Sequence, residues 1–149
     1  MTQPRDFGFG EEQTMLKEAA RRFCEDKQPL TKLREATAGT EDPYHGNDRP
    51  GFYDPEAWQE MVALGWTALA VPDSAGGVGM SLVTAATLAE EIGRAAMPTP
   101  LTSTLQTTYV LKEAATPRAD EFLTRIAEGR AASLAAHAAD GSHLPDSTE

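Results

Sequence analysis

The chain has 149 residues, of which 40% are hydrophobic and 24% charged, with a formal charge of −10 at neutral pH. That length suits one domain, or one domain with a piece of another, and the negative balance argues against non-specific nucleic-acid binding, which needs clustered Lys and Arg. Cys24 is the only cysteine, so an intramolecular disulfide or a cysteine metal cage is excluded.

The opening MTQPRDFGFG has no charged-then-apolar secretion pattern, and no apolar run is long enough to span a bilayer. The expectation is a cytoplasmic protein. From Glu11, the positions Met15, Leu16, Ala19, Ala20, Phe23 and Cys24 recur at one-turn spacing and predict a helix whose apolar stripe faces a core. Glu11 and Glu12 sit in its first turn, where carboxylates meet the exposed N–H groups favourably. Cys24 falls on the stripe and reads as a small core residue. Pro29 should break or bend the helix, with Leu30 and Leu33 continuing the apolar face beyond it.

Residues 37–53, TAGTEDPYHGNDRPGFY, are turn chemistry throughout and predict a long solvated loop. Asp42, His45 and Asp48 lie within it, but their spacing matches no ligand motif. Asp54-Pro55 is a helix start, an Asp cap with proline at the first helical position. Trp58, Met61, Val62 and Trp66 form the expected buried side, and Gly65 the stop. Thr67–Val71 is short and apolar, compatible with an extended segment.

The stretch AVPDSAGGVGM, residues 70–80, resembles a phosphate-binding loop only in its glycine content. A P-loop closes on Lys-Ser/Thr, and here Met80 and Ser81 follow Gly79. The dinucleotide fingerprint needs a third glycine where Leu82 stands. The glycines therefore predict a backbone corner in which Gly76, Gly77 and Gly79 adopt angles closed to other residues. Ser81 then caps a third helix to about Ala96, whose Leu82, Leu88, Ile92 and alanines imply close packing. Glu90-Glu91 is a carboxylate pair, but neighbours on a helix point about 100° apart, and the pair reads as a solvated face. Ser74 lacks the flanking pattern of a nucleophile elbow.

Pro98 and Pro100 precede a fourth helix, roughly Leu101–Ala115. Thr116-Pro117 starts a fifth, carrying Phe122, Leu123 and Ile126 and ending near Gly129. Residues 132–138, ASLAAHA, are a weak strand candidate. A lone strand leaves its backbone unsatisfied, so its partners would lie elsewhere. The remaining DGSHLPDSTE is polar tail. His45, His137 and His143 are scattered and have no evident orienting partner. No catalytic constellation emerges from composition and spacing.

Four segments together resemble the N-terminal helical domain of the acyl-CoA dehydrogenase family: DFGFGEEQTMLKEAARRF with Pro29, WQEMVALGWTALAVPDSAGGVGMS, EEIGRA and FLTRIAEGRAASLAAHA. The resemblance implies an all-α bundle of about five to six helices. It allows at most one strand at the C-terminal end, belonging to an absent β-domain. The expected division is residues 1–130 as the helical domain and 131–149 as the start of the middle β-domain or a tail.

The family reaction is α,β-desaturation of an acyl-CoA thioester, with a glutamate taking the α-proton and FAD the β-hydride. Electrons then pass to an electron-transfer flavoprotein. The resemblance places the base and the main flavin contacts outside this chain, so no catalytic residue and no flavin ligand is assigned here. It expects a fragment inactive by itself, working in a homo- or hetero-oligomer, without nucleic-acid or membrane partners.

What the family's N-terminal domain contributes is one wall of the acyl pocket, which maps onto Leu101, Thr102 and Leu105. Leu101 replaces a polar residue common in medium-chain members. Thr99, Thr102, Ser103, Thr104, Thr107 and Thr108 make this helix rich in hydroxyls, consistent with a bulkier or more polar acyl group. The alternatives are a non-catalytic subunit pairing with a catalytic one, and an unrelated helical adaptor built as a repeat array. The surface toward absent domains should be apolar and prone to self-association.

Overall fold

In the computed structural model, residues 9–37 and 53–135 are described. They form six α-helices: α1 Glu11–Lys27, α2 Leu30–Thr37, α3 Pro55–Ala63, α4 Leu82–Arg94, α5 Leu101–Ala114 and α6 Pro117–Ala127, with a 3-10 turn at Asp73–Ala75. Among the described residues there is no strand, and the fold is all-α. Of the strand candidate 132–138, residues 132–135 are neither helix nor strand, and the rest lies outside the described residues. The metal candidates Asp42, His45 and Asp48, with His137, His143 and the expected loop's centre, lie outside the described residues.

The local signals place the helix ends. Asp54 accepts hydrogen bonds from the backbone N–H of Glu56 at 2.9 Å and Ala57 at 3.3 Å, satisfying donors that the first turn leaves without partners. Thr116 caps α6 through the Ala119 N–H at 3.2 Å, and Ser81 caps α4 through the Thr84 N–H at 3.4 Å. Pro29 does more than bend α1: it separates α1 from α2, because its ring cannot continue the ladder.

Helix α1 lies beside α4, and α6 beside α5. Contacts from Gln13 to Thr84, Lys17 to Glu90, Arg21 to Glu91 and Cys24 to Met97 advance together along α1 and along α4 with the turn after it. The two helices therefore run in the same direction. The main core joins Ala20 and Cys24 of α1, Trp58 and Met61 of α3, Leu88 and Ile92 of α4, and Leu101 and Leu105 of α5. Trp66 reaches it edge-on to Phe23, ring centroids 5.0 Å apart. A smaller cluster of Val71, Ala75, Leu123 and Ile126 joins the glycine corner to α6.

Periodicity assigned Met15, Ala19, Leu30 and Leu82 to buried faces, and the fold leaves all four exposed. Leu30 and Leu82 stand at the first positions of their helices. Thr67–Val71 is a run of turns and bends rather than an extended segment.

Candidate functional site

The three residues mapped to the acyl wall stand at the start of α5. Pro100 precedes the helix, and the Thr99 hydroxyl accepts the Leu101 N–H at 3.3 Å. Leu101 and Leu105 are one turn apart and buried in the main core. Thr102 points from an adjacent face and is half-buried. The fold thus brings Leu101 and Leu105 together beneath the surface, and Thr102 marks where that end of α5 reaches it.

The hydroxyl-rich character of α5 has a local explanation. Thr104 donates to the Pro100 carbonyl at 2.8 Å, Thr107 to Ser103 at 2.8 Å and Thr108 to Thr104 at 2.9 Å. Each returns its proton to the carbonyl of the preceding turn, so these donors are occupied within the helix. Ser103 likewise donates to Pro100 at 2.9 Å. The Thr104 oxygen also accepts the Ala132 N–H at 3.1 Å, pinning the segment after α6 against α5. Sequence reasoning missed this clamp, since its partners are 28 positions apart.

The glycine corner is wired shut. The N–H groups of Gly76, Gly77, Val78, Gly79 and Met80 donate to the carbonyls of Asp73, Pro72, Ala68, Val71 and Leu69, at 2.7–3.1 Å. A phosphate cradle presents such donors outward to an anion. Here all five are spent on the chain itself. Gly76 and Gly79 have φ of 84° and 70°, the left-handed region that favours glycine. Gly77 does not share that reason. A Cβ on it would lie 2.1 Å from the Val71 carbonyl oxygen, so it is there for close approach, which corrects the expectation of three permissive backbone angles.

The carboxylate pair divides. Glu90 is exposed and pairs with Lys17 at 2.6 Å. Glu91 is fully buried, which overturns its reading as a solvated face. Arg21 grips it with two nitrogens, Nη2 at 2.9 Å and Nε at 3.1 Å, while Arg94 Nε lies 2.6 Å away. Arg94 also approaches Glu25 at 3.6 Å. Burial demands such partners for a charge. The Arg21 bond, foremost, and then Arg94 outweigh desolvation and hold the Glu91 carboxyl down at about 2. A group so acidic is a poor proton acceptor near neutral pH; Glu91 is a clamp between α1 and α4. Its only sequence signal was an arginine three positions on, because Arg21 lies 70 positions away.

Cys24 is buried, 3.9 Å from the Met97 sulfur, and burial pushes its thiol up to about 11. It therefore stays a neutral, poor nucleophile. Ser74 is exposed on the 3-10 turn. Among the described residues, no cluster of His, Cys, Asp and Glu is placed to hold a metal, and no helix is long and apolar enough to cross a membrane.

Comparison with known proteins fits this geometry. The family described as acyl-CoA dehydrogenase, N-terminal domain, matches residues 10–130, a span running from the cap of α1 to just past α6. Acyl-CoA dehydrogenase IpdE2 of Mycobacterium tuberculosis is 39% identical over 80 residues, 53% of this chain and 25% of the relative. Acyl-CoA dehydrogenase FadE28 of the same organism is 36% identical over 92 residues, 60% of this chain and 27% of the relative. A solved variant of the Tcur3481-Tcur3483 steroid ACAD superposes with a TM-score of 0.72 at 28% identity, over 87% of this chain and 34% of that one. The chain spans about a quarter of the length of the curated relatives it matches.

Proposed function

The chain belongs to the acyl-CoA dehydrogenase family through that family's N-terminal domain, and from this premise we propose that it forms the helical wall of an FAD-dependent enzyme that desaturates an acyl-CoA thioester. The observation that carries the reading is the match from residue 10 to 130, which takes in all six helices in order. On this reading residues 1–130 are the helical domain, and 131–149 begin the next or form a tail.

The described residues offer the flavin no phosphate cradle, because their glycine-rich loop has spent its N–H donors internally. No step through FAD is therefore assigned to them. The described acid buried deepest, Glu91, is locked to two arginines and does not serve as the α-proton acceptor. What this chain supplies is shape, by burying Leu101 and Leu105 and setting Thr102 at the surface of α5. The wall proposed for the acyl group is Leu101, Thr102 and Leu105, with Thr102 making direct contact and the two leucines fixing its position.

The substrate class proposed is a bulky, steroid-derived acyl-CoA, supported by the likeness to the steroid ACAD. Electrons would leave to an electron-transfer flavoprotein from a homo- or hetero-oligomeric assembly in the cytoplasm.

A chimera tests the reading. Residues 10–130 would replace the matching segment of the steroid ACAD, and dye reduction would be followed with steroid-side-chain and straight-chain acyl-CoA esters. The expected result is flavin loading and turnover of the steroid ester, with Thr102→Trp raising KM for it several-fold at little change in kcat. A chimera that folds and loads flavin yet turns over neither ester would overturn the proposal. Residues 1–149 alone should reduce no dye.

A further inference from the structure

The first 37 residues hold seven basic and seven acidic side chains, so the whole formal charge of −10 falls on residues 38–149. Helices α1 and α2 lie in the neutral part, α3 and α4 in the acidic one. The seam between them has one polarity. Lys17 meets Glu90 at 2.6 Å, Arg21 meets Glu91 at 2.9 Å, Lys27 meets Glu60 at 2.8 Å and Lys32 meets Asp54 at 2.7 Å. Only Glu25, 3.6 Å from Arg94, runs the other way. Lys32 also donates to the Lys27 carbonyl at 3.3 Å, tying α2 to the end of α1.

Apolar bulk contributes less to this seam. The buried residues of α1 are Ala20 and Cys24, both small, with Leu16 and Phe23 partly buried beside them. Helix α5 buries Leu101 and Leu105, and α6 buries Leu123 and Ile126. Among the described residues no ion pair joins α5 or α6 to another element. Outside the Arg21–Glu91 pair, the side chains paired across the α1–α2 seam are 30–62% exposed. Each such pair is weak, but a row of one polarity makes two complementary surfaces, and dissolved ions reach them. The screening length falls from about 10 Å at 0.1 M salt to about 3 Å at 1 M.

We propose that α1 and α2 form a charge-docked arm on the α3–α6 body, which loosens as ionic strength rises while the body stays closed. Salt acts on the two parts with opposite signs. It screens the attraction that holds the arm, and it screens the self-repulsion of the acidic body. The wholly buried Glu91 is shielded from the ions, so its grip on Arg21 bounds the loosening and the arm opens transiently. Ala20 and Cys24 share one core with Leu101 and Leu105, so each opening also withdraws packing from behind the proposed acyl wall. That last consequence rests on the proposed function; the arm itself does not.

Hydrogen exchange of the full chain, followed by mass spectrometry at 0.02 M and 0.6 M NaCl, tests the device. Peptides from α1 should exchange about tenfold faster at the higher salt, while those from α5 and α6 stay level or slow down. Glu60→Gln/Glu90→Gln removes two seam carboxylates at exposed positions. It should speed α1 already at low salt and leave little further response to added salt. Glu113→Gln/Glu121→Gln removes the same charge from exposed positions on α5 and α6, and there α1 should respond to salt as in the parent chain. Protection of α1 that stays level or rises with salt would overturn the proposal. So would an equal loss of protection in all helices, or the same salt response in both double variants. No turnover is read, so the outcome is independent of the proposed reaction.

Discussion

The α1–α4 side and the α5–α6 side are both pairs of neighbouring helices, yet they are joined by different physics. Between α1 and α4, charge crosses the seam: Lys17 to Glu90, and Arg21 to a Glu91 that is wholly buried. Between α5 and α6, the seam is apolar, and the hydroxyls of α5 turn back onto their own helix. The first side has matched its charges internally. The second leaves Arg118, Arg125 and Arg130 without a carboxylate partner among the described residues, two of them lying beside the Phe122 ring, and its apolar surface comes closer to solvent. A helix pair joined by charge and one joined by apolar packing can therefore be told apart by where their polar groups point.

The contrast predicts its own tests. The largest effect belongs to the main core, where Leu88→Ala should cost about 3 kcal/mol through lost burial and a residual cavity. Leu134→Ala, on the exposed segment after α6, should cost less than about 0.5 kcal/mol. Chemical denaturation of both variants measures the difference, and comparable losses would erase the distinction between the two sides.

Next comes Glu91→Ala, which should cost about 2 kcal/mol, below the range for a wholly buried pair, because Arg21 and Arg94 are half-exposed and can turn to water. The same residue sets a pH signature. Its carboxyl is held at about 2, below an ordinary 4.5, so its stabilisation is full above the ordinary value and drains away as pH falls toward 2. Melting curves across that window should fall more steeply for the parent chain than for Glu91→Ala.

Thr104→Val should cost about 1 kcal/mol and act locally. It removes the acceptor for the Ala132 N–H, so hydrogen exchange should quicken near 132 while α1 and α4 stay protected. Acceleration spread evenly over all helices would show that the two sides do not open separately.

The smallest effect has the opposite sign. Thr67 is fully buried, and its hydroxyl has no hydrogen-bond partner among the described residues. Thr67→Val keeps the shape and removes the unpaired group, raising stability by up to about 1 kcal/mol.

How much of this was legible in the sequence follows the range of each interaction. The starts of α3 and α6 were readable because Asp54-Pro55 and Thr116-Pro117 carry cap and constraint within a few positions. The ends at Gly65 and Gly129 were readable for the same reason, both having positive φ. The apolar faces of α1 and α4 were visible as stripes, but a stripe does not say which of its members a neighbour covers, so Met15 and Leu82 were misplaced. Glu91 looked like any surface carboxylate because the partner that permits its burial lies on another helix. The threonines of α5 suggested a polar pocket, since a hydroxyl's preference for its own backbone cannot be told from a preference for ligand by composition. Leu101 and Leu105 were mapped by resemblance to an acyl wall, and the fold buries both in the main core.

The two tryptophans fall on either side of this contrast. Trp66 packs edge-on to Phe23 of α1, while Trp58 donates its indole N–H to the Gly129 carbonyl at 3.1 Å, at the end of α6. The indole emission of the chain is therefore already divided between its two halves. Replacing either tryptophan by phenylalanine leaves a single tryptophan, whose emission under selective excitation reports one half: Trp66 the docking of α1, Trp58 the attachment of α6. The molecule carries its own pair of optical gauges, and their agreement or divergence during unfolding reads out directly whether the charged seam and the apolar seam come apart together.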